Sequence, residues 1–295
     1  MGVSFRAKLF HLLIRTQRLH SMPLDRVKQP PRSKRANQIP ASIAQKMLCE
    51  TRELNGYAVH TINAEPTFKK HIVYFHGGAY VFQASPLHWN FLQRLAWRAK
   101  AKVSFVQYPL APESDHKEAI TQVLGVTDLL TQTFDDEFYL AGDSAGAGLA
   151  VALLRNLIQA GKQQPYKKAL LISPWLNPLS LDAVPAELQK QDLLLGPWLK
   201  TAIDMYAGDD SLEHKNISPI NSDFSGFPPI GVWIGSRDIF CADMPRFLQR
   251  LEQSDISYHY ENKEGMLHAY PIFPIPEAKE VVGQMVEFIA KGSAK

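Results

Sequence analysis

Three residues in this chain have the types and the setting needed for nucleophilic acyl transfer: Ser144, Asp238 and His268. Ser144 lies in Gly142-Asp143-Ser144-Ala145-Gly146, directly after the apolar run Phe138–Ala141 and before a small-residue helical pattern, Ala145–Gln159. A sharp strand-to-helix turn holds such a serine in a strained conformation with its hydroxyl above the sheet, and small neighbours let the two elements come close. The hydroxyl is a weak nucleophile until a base takes its proton. His268, in Gly265-Met266-Leu267-His268-Ala269-Tyr270, follows the last apolar strand pattern, and Asp238 follows the run Ile230–Ile234. In the order Ser, acid, base, His268 would take the Ser144 proton while Asp238 fixes the imidazole tautomer and stabilises the imidazolium.

A carbonyl under attack develops negative charge on oxygen, and backbone N–H groups aimed at that oxygen lower the barrier. The stretch His76-Gly77-Gly78-Ala79-Tyr80 follows the run His71–Phe75 and supplies such groups. The N–H groups of Gly77 and Gly78, with that of Ala145, are the expected oxyanion hole. No His-Glu-x-x-His or comparable ligand cluster occurs, so neither metal nor cofactor is expected.

These residues need a scaffold that brings loop ends together. Apolar runs at Tyr57–Ile62, His71–Phe75, Val103–Gln107, Phe138–Ala141, Ala169–Ile172, Ile230–Ile234 and Ser257–Tyr260 read as strands. They alternate with helical periodicity at Leu87–Lys100, His116–Thr131, Ala145–Gln159, Asp243–Gln253 and Glu277–Ala290. The alternation predicts an α/β fold, a mostly parallel, doubly wound sheet whose chemistry lies at the carboxyl ends of the strands. Two segments break it. Residues 1–45 start helical and are then interrupted by Pro23, Pro30, Pro31 and Pro40. Residues 176–229 form an insertion too long for a simple connection. Inside it Gly196-Pro197 opens a helix with Leu195, Leu199 and Ile203 on one face, adjoined by Trp198 and Tyr206 and closed by Gly208, which reads as a lid.

Composition narrows the classes further. The chain has 295 residues, 45% hydrophobic and 21% charged, ordinary for a globular protein. No stretch approaches a bilayer-spanning apolar run, and Arg6, Lys8 and His11 interrupt the start of the chain before any signal-peptide core forms. Met1-Gly2 lacks the serine or threonine of an acylation site, since Arg6 stands there. Cys49 and Cys241 show no metal or disulfide spacing, and a cytoplasmic protein is expected. The net charge of +3 conceals an asymmetry: residues 1–35 carry nine Lys or Arg against Asp25 alone. No base-reading motif accompanies this arm, so nucleic acid is not an expected partner. Peripheral membrane contact through the arm and homodimer formation both stay open.

The motifs together resemble the hormone-sensitive-lipase-like family of α/β hydrolases, relatives of bacterial esterases and arylacetamide deacetylase, over roughly residues 70–290. His76-Gly77-Gly78 resembles the family's oxyanion motif, Tyr108-Pro109-Leu110-Ala111-Pro112-Glu113 its Tyr-Arg-Leu-Ala-Pro-Glu block, and Gly142–Gly146 its nucleophile turn. Ser173-Pro174-Trp175 and Ser218-Pro219 resemble further blocks, and Asp238 and His268 fall at the positions of its acid and base. The resemblance implies the α/β-hydrolase fold, with a catalytic domain over 46–295 interrupted by a cap insertion at about 176–229. The arm, 1–45, would contribute to that helical cap. It implies a serine carboxylesterase acting on small-molecule esters of short to medium acyl chain through an acyl-enzyme. An amidase, formamidase or deacetylase of the same chemistry, and a non-catalytic ligand-binding homologue, are the alternatives. Ala79 stands where the family has a third Gly, Pro109 where it has Arg, and His116-Lys117 where Phe-Pro is common. Tyr270 and Phe273, close to His268, are candidates for either pocket lining or core.

Overall fold

The computed structural model describes residues 2–16, 19–36, 38–162, 164–192 and 194–291. Met1 of the start, Arg18 of the basic arm and Leu193 of the insertion lie outside the described residues, as do Gln17, Asn37, Gln163 and 292–295.

Eight strands form one sheet: β1 (Cys49–Leu54), β2 (Tyr57–Ile62), β3 (Lys70–Phe75), β4 (Lys102–Val106), β5 (Glu137–Asp143), β6 (Tyr166–Ile172), β7 (Ile230–Gly235) and β8 (Tyr258–Lys263). Their order is β1-β2-β4-β3-β5-β6-β7-β8. β1 and β2 are antiparallel, β2 is antiparallel to β4, and β4 to β8 run parallel. This is the α/β-hydrolase fold with the expected, mostly parallel sheet. β1 is an addition to the sequence reading, because Cys-Glu-Thr-Arg-Glu-Leu lacks a buried face and pairs only at the sheet edge.

The helices are α1 (Phe5–Thr16), α2 (Leu24–Lys28), α3 (Ala41–Ala44), α4 (Pro86–Ala99), α5 (His116–Thr133), α6 (Ala145–Gln159), α7 (Ala186–Gln191), α8 (Pro197–Ala207), α9 (Met244–Gln253) and α10 (Pro276–Ala290). Strand side chains alternate across the sheet, so it has a core on each face. Val73, Phe75 and Leu140 pack with α5, α6, α8 and α9, while Ile72, Tyr74 and Ala141 pack with α4 and α10. Because β3 and β5 to β8 are parallel, the loops carrying His76–Gly78, Ser144, Ser173, Asp238 and His268 all leave the same edge.

The two segments that broke the alternation meet above that edge, where α2 packs on α8 and α1 on α10. Two polar clasps seat the arm. The Ser4 N–H and Oγ–H donate to the two Glu277 carboxylate oxygens at 2.7 and 3.0 Å. Arg32 donates to the carbonyls of Val81 and Ala111 and pairs with Glu113. Glu113 closes the Tyr-Pro-Leu-Ala-Pro-Glu block, so the block's acid serves as an anchor for the arm.

Arg32→Ala leaves two carbonyls and Glu113 without this donor but touches neither core. The arm should be cut faster in limited proteolysis, while the urea midpoint of the main unfolding transition moves by less than about 1 kcal/mol equivalent.

Candidate active site

Ser144 sits between β5 and α6 with φ 52° and ψ −120°, a strained conformation for a residue with a side chain. The turn is tight because two glycines permit it. A Cβ on Gly146 would stand 2.1 Å from the Phe75 carbonyl oxygen, and one on Gly142 would stand 2.6 Å from Gly146 backbone atoms. The Ser144 N–H donates to the Ile172 carbonyl at 2.8 Å, and its own carbonyl accepts from the Trp175 N–H at 3.1 Å. Both partners come from β6 and the loop after it, so the Ser-Pro-Trp block braces the turn.

The residue before Ser144 has a role that the motif alone did not reveal. The buried Asp143 carboxylate accepts from the Gly77 N–H at 2.8 Å and from the Tyr74 hydroxyl at 2.5 Å. His88 Nε2 lies 3.3 Å from its other oxygen. The His88 Nδ1 accepts from the Ser85 N–H at 3.0 Å, closing a capping box at the start of α4, so the ring hydrogen is on Nε2 and points to Asp143. Burial would raise the Asp143 pKa, but His88, Tyr74 and Gly77 outweigh it and hold the carboxyl at about 2.

That bond corrects the expected set of oxyanion donors. The Gly77 N–H is committed to the Asp143 carboxylate. Among the described residues no acceptor is found for the N–H groups of Gly78, Ala79 and Ala145. Ala79, at φ 54°, brings the third donor. His76, stacked on Tyr108 at 4.7 Å and fully buried, has its pKa lowered to about 4 by desolvation and stays neutral.

Asp238, fully buried after β7, accepts from the Phe240 N–H at 3.0 Å through one oxygen, and its other lies 2.9 Å from His268 Nδ1. Burial lowers the His268 pKa, yet Asp238 first and then Asp192 and Asp143 raise it above 6.5 in balance. The Ala269 N–H donates to the Ser173 hydroxyl at 2.8 Å, which fixes the loop behind the imidazole. His268 and Ser144 line one cavity of about 570 Å³. Phe10, Leu13 and Ile14 of α1 form one wall, and Leu194, Trp198 and Leu199 of the insertion form another. Phe273 lines this cavity, while Tyr270 is fully buried in the core. Pro109, His116 and Lys117 are absent from the lining; His116 and Lys117 reach Asp210 beyond α8 instead, at 2.7 and 3.0 Å.

Asp192 escaped the sequence reading. It follows α7 in the insertion, and one carboxylate oxygen accepts from the N–H groups of Leu194 and Leu195. The other accepts from the Ile239 N–H at 3.1 Å, one residue past Asp238. A wall of the cavity is thereby tied to the loop of the acid. Burial and the neighbouring Asp238 raise the Asp192 pKa to about 6.

A second Ser-His-Asp set lies at the opposite edge. His71 Nε2 is 2.7 Å from Ser104 Oγ, and its Nδ1 is 3.1 Å from Asp136. Ser104 and His71 are completely buried, the Ser104 hydroxyl is shared with Thr61, and Lys102 pairs with Asp136. This set is a structural network without access for a substrate.

Comparison with known proteins places these features in context. The profile of the alpha/beta hydrolase fold matches residues 72–272. An esterase of Acinetobacter venetianus is 34% identical over 242 residues, covering 80% of this chain and 79% of that protein. An acetyl-hydrolase of Streptomyces hygroscopicus is 29% identical, covering 69% and 70%. The crystal structure of a hormone-sensitive lipase from a metagenome library superposes with a TM-score of 0.82 at 22% identity, over 98% of this chain and 99% of that one.

Asp192→Asn removes a negative charge that raises the His268 pKa and replaces one acceptor oxygen by a donor. The acidic limb of kcat/KM should move to lower pH, with a loss of about 1–3 kcal/mol of stability in urea. An acidic limb left in place would show that Asp192 does not act on His268.

Proposed function

Since the chain belongs to the family of α/β hydrolases, in its hormone-sensitive-lipase-like branch, we propose that it hydrolyses carboxylic esters through an acyl-Ser144 intermediate. The observation that carries this reading is the meeting of Ser144 and the Asp238-bonded His268 in one apolar cavity of about 570 Å³. The esterase and acetyl-hydrolase relatives support the same chemistry.

In this reading Ser144 Oγ attacks the ester carbonyl carbon as His268 Nε2 takes its proton. Asp238 keeps the imidazole in the tautomer with hydrogen on Nδ1 and balances the imidazolium. The N–H groups of Gly78, Ala79 and Ala145 receive the developing oxyanion, each contributing about 3 kcal/mol to the lowered barrier. His268 then protonates the leaving alcohol, and water repeats the sequence on the acyl-enzyme. Residues 1–45 and 176–229 act as a cap over the catalytic unit, and their apolar walls favour short to medium acyl groups. Two free thiols, Cys49 and Cys241, agree with a cytoplasmic setting.

Hydrolysis of p-nitrophenyl esters from acetate to palmitate tests the reading. The wild type should prefer the shorter members, and Ser144→Ala should lose at least about a thousandfold in kcat. Retention of most turnover in that variant would remove Ser144 from the mechanism. The base must be neutral, and the His268 pKa is raised, so kcat/KM should fall on the acid side with an inflection above 6.5. A profile with no acid limb would remove His268 as the base.

A further inference from the structure

The inner side of α1 walls the cavity, but its outer side is apolar as well. Phe5, Leu9 and Leu12 are 81, 50 and 59% exposed, while Ala7 and His11 are buried beneath. At about 100° per residue these three side chains share one outward arc of the helix. Arg6 flanks the arc on one side, and Lys8 and Arg15 flank it on the other.

The Lys8 and Arg15 side borders a second cavity, of about 490 Å³, that also takes in Lys190 and Arg237. Among the described residues none of these four cations makes an ion pair. His11 lines the same cavity, with a buried Nε2 that has no hydrogen-bond partner among the described residues. Four unpaired cations around a concave surface call for an anion.

We propose that α1 docks the protein on an anionic lipid surface. The Phe5-Leu9-Leu12 stripe enters the acyl boundary, and the Lys8-Arg15-Lys190-Arg237 cleft receives headgroup phosphate. An apolar stripe between cations is the pattern of a helix lying in the plane of a bilayer. Charge favours lipid over a second copy of this chain, because two such faces apposed would bring like-charged rims together. No helix among the described residues is long and apolar enough to cross a membrane. Phe10 and Ile14, on the inner side of the same helix, would then hold the catalytic cavity at the lipid boundary. Vesicle binding is read by sedimentation and does not depend on the ester chemistry.

The test is co-sedimentation of the full chain with vesicles of phosphatidylcholine alone or mixed with phosphatidylglycerol. Wild type should bind the mixed vesicles at least about tenfold more tightly, and salt should weaken the binding. The double variant Phe5→Ser, Leu9→Ser should lose about tenfold in partitioning, with far-UV circular dichroism and hydrolysis of a water-soluble ester unchanged. Lys8→Glu with Arg15→Glu should abolish the preference for phosphatidylglycerol. Equal binding to both vesicle types, or undiminished binding by the Phe5/Leu9 variant, would overturn the proposal. So would a wild-type dimer that this variant converts to monomer without vesicle binding in either form.

Discussion

The Asp143 carboxylate has lost nearly all contact with water, and a buried anion is tolerated only where donors replace its hydration. Tyr74, Gly77 and His88 supply them, from β3, the loop that follows it and α4. Once they do, the position of Ser144 and that of the Gly77–Ala79 loop are no longer independent. Ser144 and the N–H groups of the loop beside it are placed by one charge. The His88 tautomer is fixed in turn by the first turn of α4, so a helix cap reaches the chemistry through a single ring.

The two Ser-His-Asp sets show what residue types alone leave undecided. Ser104, His71 and Asp136 have hydrogen-bond geometry comparable to that of many catalytic groups, yet Ser104 is sealed and shares its hydroxyl with Thr61. Ser144 differs in its surroundings: an open apolar cavity, backbone N–H groups without acceptors, and a histidine that its acid does not cover completely. Position at the carboxyl edge of a parallel sheet is what separates the two. There the strand ends diverge and leave room, whereas β3 and β4 close around His71 and Ser104.

The catalytic candidates were legible because each is tied to a local signal, a turn or a loop directly after an apolar run. Ser144, Asp238 and His268 need only the strand order to meet. The commitment of Gly77 is not legible locally: its partner is 66 positions away, and no local pattern distinguishes an N–H that faces a carboxylate from one that faces a cavity. Asp192 was invisible for the same reason: in sequence it is one acid after a short helix, and only the fold sets it beside Ile239. β1 was missed because its exposed, charged side chains carry no burial pattern, while its backbone pairs all the same. The cap helix α8 was legible from its apolar face, yet the arm's seat depends on Arg32 and Glu113, 81 positions apart.

The Ser4–Glu277 clasp joins positions 273 residues apart, and so it bears on how the chain is made. Translation at about 5–20 residues per second takes tens of seconds to deliver Glu277 after Ser4. Through that interval α1 has no seat, since α10 does not yet exist. The Ser144 turn can form with its neighbouring strands well before the wall made of Phe10, Leu13 and Ile14 arrives. The wall that α1 contributes is therefore fitted after the sheet it covers, once α10 has been made, although α1 precedes every strand in the chain.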